Sequence, residues 1–185
     1  MSETEGPGLV HLELEREVDE APEELRRLIV FQASDEWFGL PIEWVREIQP
    51  LERLARVPNA PAEVAGILNL RGRVLTLFDL GACMSMPPGT RPRTHAVVLD
   101  FGDPDLCVGI VAQRIMQVCQ IPLSAVQPPA REGGPGGLEG VFELNGQAVG
   151  LLDLARVFAR TLPEWGVKVE PRGRVDRMTP EREQV

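Results

Sequence analysis

The sequence predicts an all-β protein built from two related modules, and three observations carry that expectation. Gly66-Ile-Leu-Asn-Leu-Arg-Gly-Arg-Val-Leu-Thr-Leu-Phe-Asp-Leu80 aligns without a gap on Gly140-Val-Phe-Glu-Leu-Asn-Gly-Gln-Ala-Val-Gly-Leu-Leu-Asp-Leu154. Gly66/Gly140, Leu70/Leu144, Gly72/Gly146, Leu77/Leu151, Asp79/Asp153 and Leu80/Leu154 are identical, and most other positions exchange one apolar side chain for another. A second echo precedes the first, with Phe38–Ile48 repeated as Val108–Val118. The apolar runs are short, β-branched or aromatic, and separated by Gly, Pro, Asn and Asp, which is strand-and-turn chemistry. Self-similarity at a spacing of about 70 residues marks a duplicated unit.

Each element follows from local chemistry. Leu28–Ala33 reads as a strand, Asp35-Glu36 as a turn, and Trp37–Ile42 as the hairpin partner, with Pro41 at an edge or bulge. Val45, Ile48 and Leu51 continue the buried pattern. Val57–Pro61 reads as a stiff extended connection, because each proline restricts the residue before it. Residues 62–65 suggest one turn. Two strands follow, at 67–70 and 74–77, joined at Arg71-Gly72, where Gly72 supplies a positive φ. In the second copy Asn145-Gly146 favours a type I′ turn at the equivalent place. Asp79 and Asp153 are expected to cap short helices, the second reaching Arg160 with Leu154, Val157 and Phe158 as its apolar stripe. The second unit opens at His95–Phe101, turns at Gly102–Asp105, returns at Leu106–Val111 and adds a strand at Ile115–Ile121.

Between and around these elements lie connections. Residues 1–24 hold nine acidic side chains and one basic one, and read as a flexible acidic arm in which Glu13–Arg27 can form a frayed helix. Met86–Arg93 reads as a proline-rich linker, and Gly133–Gly137 belongs to a glycine-rich loop without the Lys-Ser/Thr ending of a nucleotide loop. Residues 164–185 read as a polar tail, from which Trp165 can dock back.

Composition excludes several functions. The net charge of -9, with no basic stripe, argues against nucleic acid. The acidic start has no basic n-region or apolar core of a signal peptide, and no uncharged run is long enough to span a bilayer. A cytoplasmic protein is expected, with any membrane association passing through a partner. Cys83, Cys107 and Cys119 are too few and too dispersed for a metal knuckle or redox pair; Cys107 and Cys119 read as small buried hydrophobes, and Cys83, beside Met84 and Met86, can be partly exposed. Histidine occurs only at His11 and His95, Tyr is absent, and Lys168 is the one lysine, so general acids and bases are scarce. Neither an enzyme, a metal nor a cofactor is expected. The polar residues that draw attention are Glu43, Arg46, Glu47, Asn69, Arg71 and Arg73, with Glu47 and Arg71 on strands that should be neighbours.

Leu28–Phe31, Val45-Arg-Glu-Ile48, Val57-Pro-Asn-Ala60 and, above all, Gly66–Leu80 together resemble the CheW family of bacterial chemotaxis coupling proteins. The likeness runs from residue 28 to about 160. It implies two five-stranded SH3-like barrels in tandem around a shared apolar seam, with short helices at the ends. The first subdomain is expected at 25–93, including its linker, and the second at 94–163, including its C-terminal helix. The resemblance further implies a non-enzymatic adaptor, peripheral to membrane receptor arrays. It would couple the cytoplasmic tip of a methyl-accepting chemoreceptor to the regulatory domain of a CheA-type histidine kinase. Glu47 and Arg71 match the family's acidic and basic pair, and Val45, Ile48 and Asn69 match residues around its receptor-facing surface; Gly72 and Arg73 complete the candidate partner-binding set. Gln113 and Gln117 stand where the family carries Asp and Glu, and Gly81 where a charged residue commonly follows Asp-Leu. These departures fit an array serving surface motility, biofilm or gene expression as well as flagella. Gln113 and Gln117, together with the glycine-rich insertion, also raise a second reading, a decoy or inhibitor that occupies one array partner alone.

Overall fold

The computed structural model describes residues 23–129, 136–159 and 161. The acidic arm up to residue 22, the frayed-helix positions before it ends, most of the glycine-rich loop, Arg160, Trp165 and the polar tail lie outside the described residues. The chain runs β1 (Leu25–Ala33), β2 (Glu36–Pro41), a 3-10 turn (Ile42–Trp44), β3 (Val45–Pro50), β4 (Val64–Leu70), β5 (Arg73–Phe78) and α1 (Leu80–Cys83). The second copy follows as β6 (His95–Leu99), β7 (Val108–Ala112), β8 (Arg114–Pro122), a 3-10 turn (Leu123–Ala125), β9 (Leu138–Leu144), β10 (Gln147–Leu152) and α2 (Leu154–Phe158).

The duplication is physical. β4 pairs with β5 and β9 with β10 in the same antiparallel register, each with an irregularity beside the repeated glycine, Gly66 or Gly140. Arg71 and Gly72 both have positive φ (53° and 83°), as do Asn145 and Gly146 (53° and 75°), so both hairpins close on the two-residue turn that matches strand twist. Asp79 and Asp153 each accept a bond from the backbone amide three residues on, capping α1 and α2 alike.

The sheets do not follow the halves of the sequence. One has the order β3-β6-β7-β5-β4 and is drawn from the continuous stretch 45–112. The other has the order β8-β1-β2-β10-β9 and is split between the two ends of the described chain. The boundary expected between residues 93 and 94 is therefore corrected: each half lends its opening hairpin or its later strands to a sheet shared with the other half. The chain crosses between sheets at Trp44-Val45 and again at Ala112–Arg114. The reason is that β1–β2 and β6–β7, the two opening hairpins, carry apolar residues on both faces and can be buried only at the centre of the molecule.

Burial confirms that logic. Ile29, Phe31, Phe38, Leu40, Val97, Leu99, Val108 and Ile110 belong to one large cluster, the seam between the sheets. Their alternates turn inward: Leu28 and Val30 join Phe142, Val149 and Leu151 inside the split sheet, while Ala96, Val98 and Val111 join Leu75 and Leu77 inside the continuous one. Phe78, Phe158, Phe101 and Trp44 form a chain of edge-on ring contacts, 5.3 to 6.0 Å between centroids, tying α2 to the first crossing.

Other expectations shift in detail. Leu25–Arg27 are strand, paired with β8, rather than the end of a helix. Pro41 ends β2 opposite Leu28, beyond the two residues through which β2 meets β10, so its missing N–H costs no bond there. Val57–Pro61 is not extended throughout: Asn59 takes a positive φ of 57°, and the Ala60 amide bonds back to Val57. Residues 86–93 do more than link. Thr90 donates from both its amide and its hydroxyl to Asp35 (2.7 and 2.8 Å), and Arg91 reaches Gln32 (2.9 Å).

Candidate partner-binding surface

β3 and β4 are the two end strands of the continuous sheet, so the curled sheet has a gap where they approach. A groove of about 660 Å³ runs along it, lined by residues that include Gln49, Pro50, Arg53, Leu68, Asn69 and Leu70. One ion pair crosses near its mouth: Arg71 Nη2 donates to Glu47 Oε2 at 2.7 Å, with Arg71 75% exposed and Glu47 22%. Gln49, two residues along the same face of β3, donates to the same oxygen at 2.9 Å. Asn69 Oδ1 accepts the Gly72 amide at 2.8 Å and pins the hairpin tip that carries Arg71. Arg73 lies 3.9 Å from Asp105.

Of the residues expected at the site, the structure gathers Glu47, Asn69, Arg71, Gly72 and Arg73 at this tip. It does not place Val45 and Ile48 with them. Their side chains lie on the other face of β3, half-buried against the seam: Ile48 because it follows Glu47 directly on the strand, and Val45 because a bulge between it and Glu47 shifts the register. Sequence reasoning missed Gln49, although its spacing of two from Glu47 puts both on one strand face. It also missed Val74, 62% exposed beside the tip, whose counterpart is only Ala148.

Energetics separates the two copies of the hairpin. A non-glycine residue in the left-handed region carries a cost of roughly 1–2 kcal/mol that Asn tolerates better. An exposed ion pair returns about 0–1 kcal/mol. For stability alone, Asn at position 71 would serve as well as Arg, as Asn145 does in the second copy. The second copy also lacks the acid, since Gln117 stands opposite Val30 on β8 as Glu47 stands opposite Val98 on β3. There the split sheet is laced instead by Arg26 on β1 and Glu139 on β9, at 2.7 Å. The exposed guanidinium of Arg71 is therefore in excess of what the fold needs.

The departures at Gln113 and Gly81 have internal causes. Gln113 is 8% exposed; its Oε1 accepts the Asp35 amide at 2.8 Å and its Nε2 donates to Asp35 Oδ1 at 3.0 Å. It clamps the β1–β2 turn at the second crossing, where Ser34 and Asp35 both have positive φ. Thr90, donating from backbone and side chain, holds the Asp35 carboxyl below the usual carboxylate range. Gly81 is buried against Ser34, whose Oγ lies 1.9 Å from where a Cβ would stand. No charged side chain fits there.

The three cysteines are free and half-buried, as expected for Cys83 but in place of the full burial expected for Cys107 and Cys119, and each sits at the rim of a different apolar cluster. Burial, with Glu63 nearby, pushes the Cys83 thiol up to about 12, so it is no nucleophile at neutral pH. Among the described residues no three His, Cys, Asp or Glu side chains converge on a metal site, and no helix is long and apolar enough to cross a membrane.

The family model of the CheW-like domain matches residues 27–162. The chain belongs to the CheW-like family. Among relatives, it is 27% identical over 144 residues to a probable chemotaxis protein CheW of Rhizobium etli, covering 75% of this chain and 91% of that one. It is 29% identical over 136 residues to chemotaxis protein CheW of Rhizobium meliloti, covering 72% and 87%. It is 29% identical over 132 residues to protein FrzA of Myxococcus xanthus, covering 69% and 81%. The crystal structure of the scaffolding protein TtCheW from Thermoanaerobacter tengcongensis superposes with a TM-score of 0.62 at 20% identity, over 76% of this chain and 91% of that one. The fold is thus the CheW-like pair of five-stranded SH3-like barrels with few short helices.

Proposed function

We propose that this CheW-like chain is a non-catalytic adaptor that couples a methyl-accepting chemoreceptor to a CheA-type histidine kinase in a chemosensory array. The kinase's regulatory domain and the receptor's cytoplasmic tip are its two partners, and the membrane is reached only through the receptor. The observation that carries this reading is the Arg71 tip within a CheW-like domain: a strained, exposed cation that stability does not require, on one copy of the hairpin and not the other. Holding two partners side by side raises the effective concentration of each for the other, so weak and reversible contacts suffice. The decoy reading loses support, because Gln113, one of the two residues that suggested it, is occupied inside the fold.

Titration calorimetry with a kinase regulatory domain and a receptor-tip fragment tests the proposal. The wild-type chain is expected to bind both. Arg71→Glu should weaken binding to one of them about tenfold or more, equivalent to ~1.4 kcal/mol, with unchanged circular dichroism. Unaltered affinity for both partners would contradict the assignment of the tip.

A further inference from the structure

We propose that β8 is a self-association edge, at which two copies of this chain pair their β8 strands antiparallel about a two-fold axis near Val118. Among the described residues β8 is an end strand, hydrogen-bonded only to β1. Four large apolar side chains of the described residues stand exposed, and three lie on this strip: Leu25 (53%), Met116 (39%) and Val118 (52%). Leu25 and Val118 project from the same face of the sheet, since Val118 is opposite Ile29 and Leu25 is four residues before it.

The molecule contains its own control, the equivalent edge strand β3. Its six residues carry Arg46 and Glu47, which face Asp100 (3.5 Å) and Arg71 (2.7 Å), and it ends at Pro50 as β8 ends at Pro122, so charge and length are what set the two edges apart. Charges, proline and short length are what keep an edge from pairing. β8 has nine residues, and from Ile115 to Ile121 not one is charged. The bulge opposite Val30 and Phe31, at Met116, and the terminal Pro122 guard its two ends, and between them Gln117–Ile121 is left as regular edge.

The charges at the ends of β8 indicate the occupant. Arg114 opens the strand and, among the described residues, makes no ion pair. At the far end the Leu123 amide bonds to the Glu24 carbonyl, and the Ser124 hydroxyl donates to Glu23. An antiparallel two-fold pairing sets each Arg114 opposite the other copy's Pro122, with the acidic Glu23 and Glu24 one strand further on, and apolar Val118 beside its own copy. Such a surface is complementary to itself, as an isologous interface requires.

Sedimentation equilibrium of the full chain alone, from low micromolar to near-millimolar concentration at physiological salt, tests this without either signalling partner. The mass is expected to rise toward that of two chains. Val118→Lys should hold it at one. Arg114→Glu should weaken the dimer about tenfold, and combining it with Glu23→Arg and Glu24→Arg should restore it. A chain monomeric throughout, a dimer indifferent to Val118→Lys, or a charge swap without rescue would each overturn the proposal. The charge-swap arm reads the interface independently should Val118→Lys fail to fold.

Discussion

Arg71 shows what a single side chain can disclose. Its backbone strain and its Glu47 bond are of similar size and opposite sign, so Arg71→Asn should change unfolding free energy by no more than about 1 kcal/mol in urea titrations. Partner affinity should fall all the same. Gly81 is the opposite case: the added methyl of Gly81→Ala meets Ser34 and should cost about 1–3 kcal/mol. Ser34→Gly in the same chain should recover most of that loss, which a double-mutant cycle measures. Asp35 sets an acid limit. Its folded pKa is lowered, so its stabilising contribution is complete above the ordinary value of 3.8 and is lost as pH falls below it. Stability measured against pH should therefore decline less steeply below pH 3.8 in Asp35→Asn than in the wild type.

At the scale of elements, the hairpins and caps were legible because their chemistry is local. Asn145-Gly146, Arg71-Gly72, Asp79 and Asp153 all do what their residue types require within a few positions of chain. Less was legible where tertiary partners decide. A proline-rich stretch reads as linker, yet Thr90 and Arg91 are held by Asp35 and Gln32 from a strand and turn more than fifty residues earlier. Gln113 reads in the sequence only as a departure from the family's Asp, and its real neighbour, Asp35, is invisible without the fold. In the candidate site, Glu47 and Arg71 do pair, but across the gap between the two end strands β3 and β4 rather than on adjacent strands. Alternation along β3 already sets Ile48 apart from Glu47, whereas the separation of Val45 depends on a bulge that no residue type announces. The aromatic chain through α2 also needed the fold. Phe158 is fully buried and touches both Phe78 and Phe101, so Phe158→Ala should cost about 3–5 kcal/mol, read as a lower urea midpoint.

For the whole molecule, duplication in sequence does not mean independence in space. Each sheet closes its apolar cluster with strands from both halves, so neither 1–93 nor 94–185 holds a complete sheet. Expressed apart, each half should lack the β-rich circular dichroism of the full chain; mixed or co-expressed, they should reassemble. The same intertwining gives an adaptor stiffness, because moving one barrel against the other would open the seam of Phe31, Phe38, Val97 and Ile110. A stiff body with two docking regions can transmit a small displacement of one partner to the other. The most direct test is sedimentation velocity of a three-component mixture of this chain, a receptor-tip fragment and a kinase regulatory domain. A single boundary containing all three, which Arg71→Glu dissolves by releasing one partner while retaining the other, is the result expected. Binding of neither partner by the folded chain, or displacement of one by the other, would contradict it.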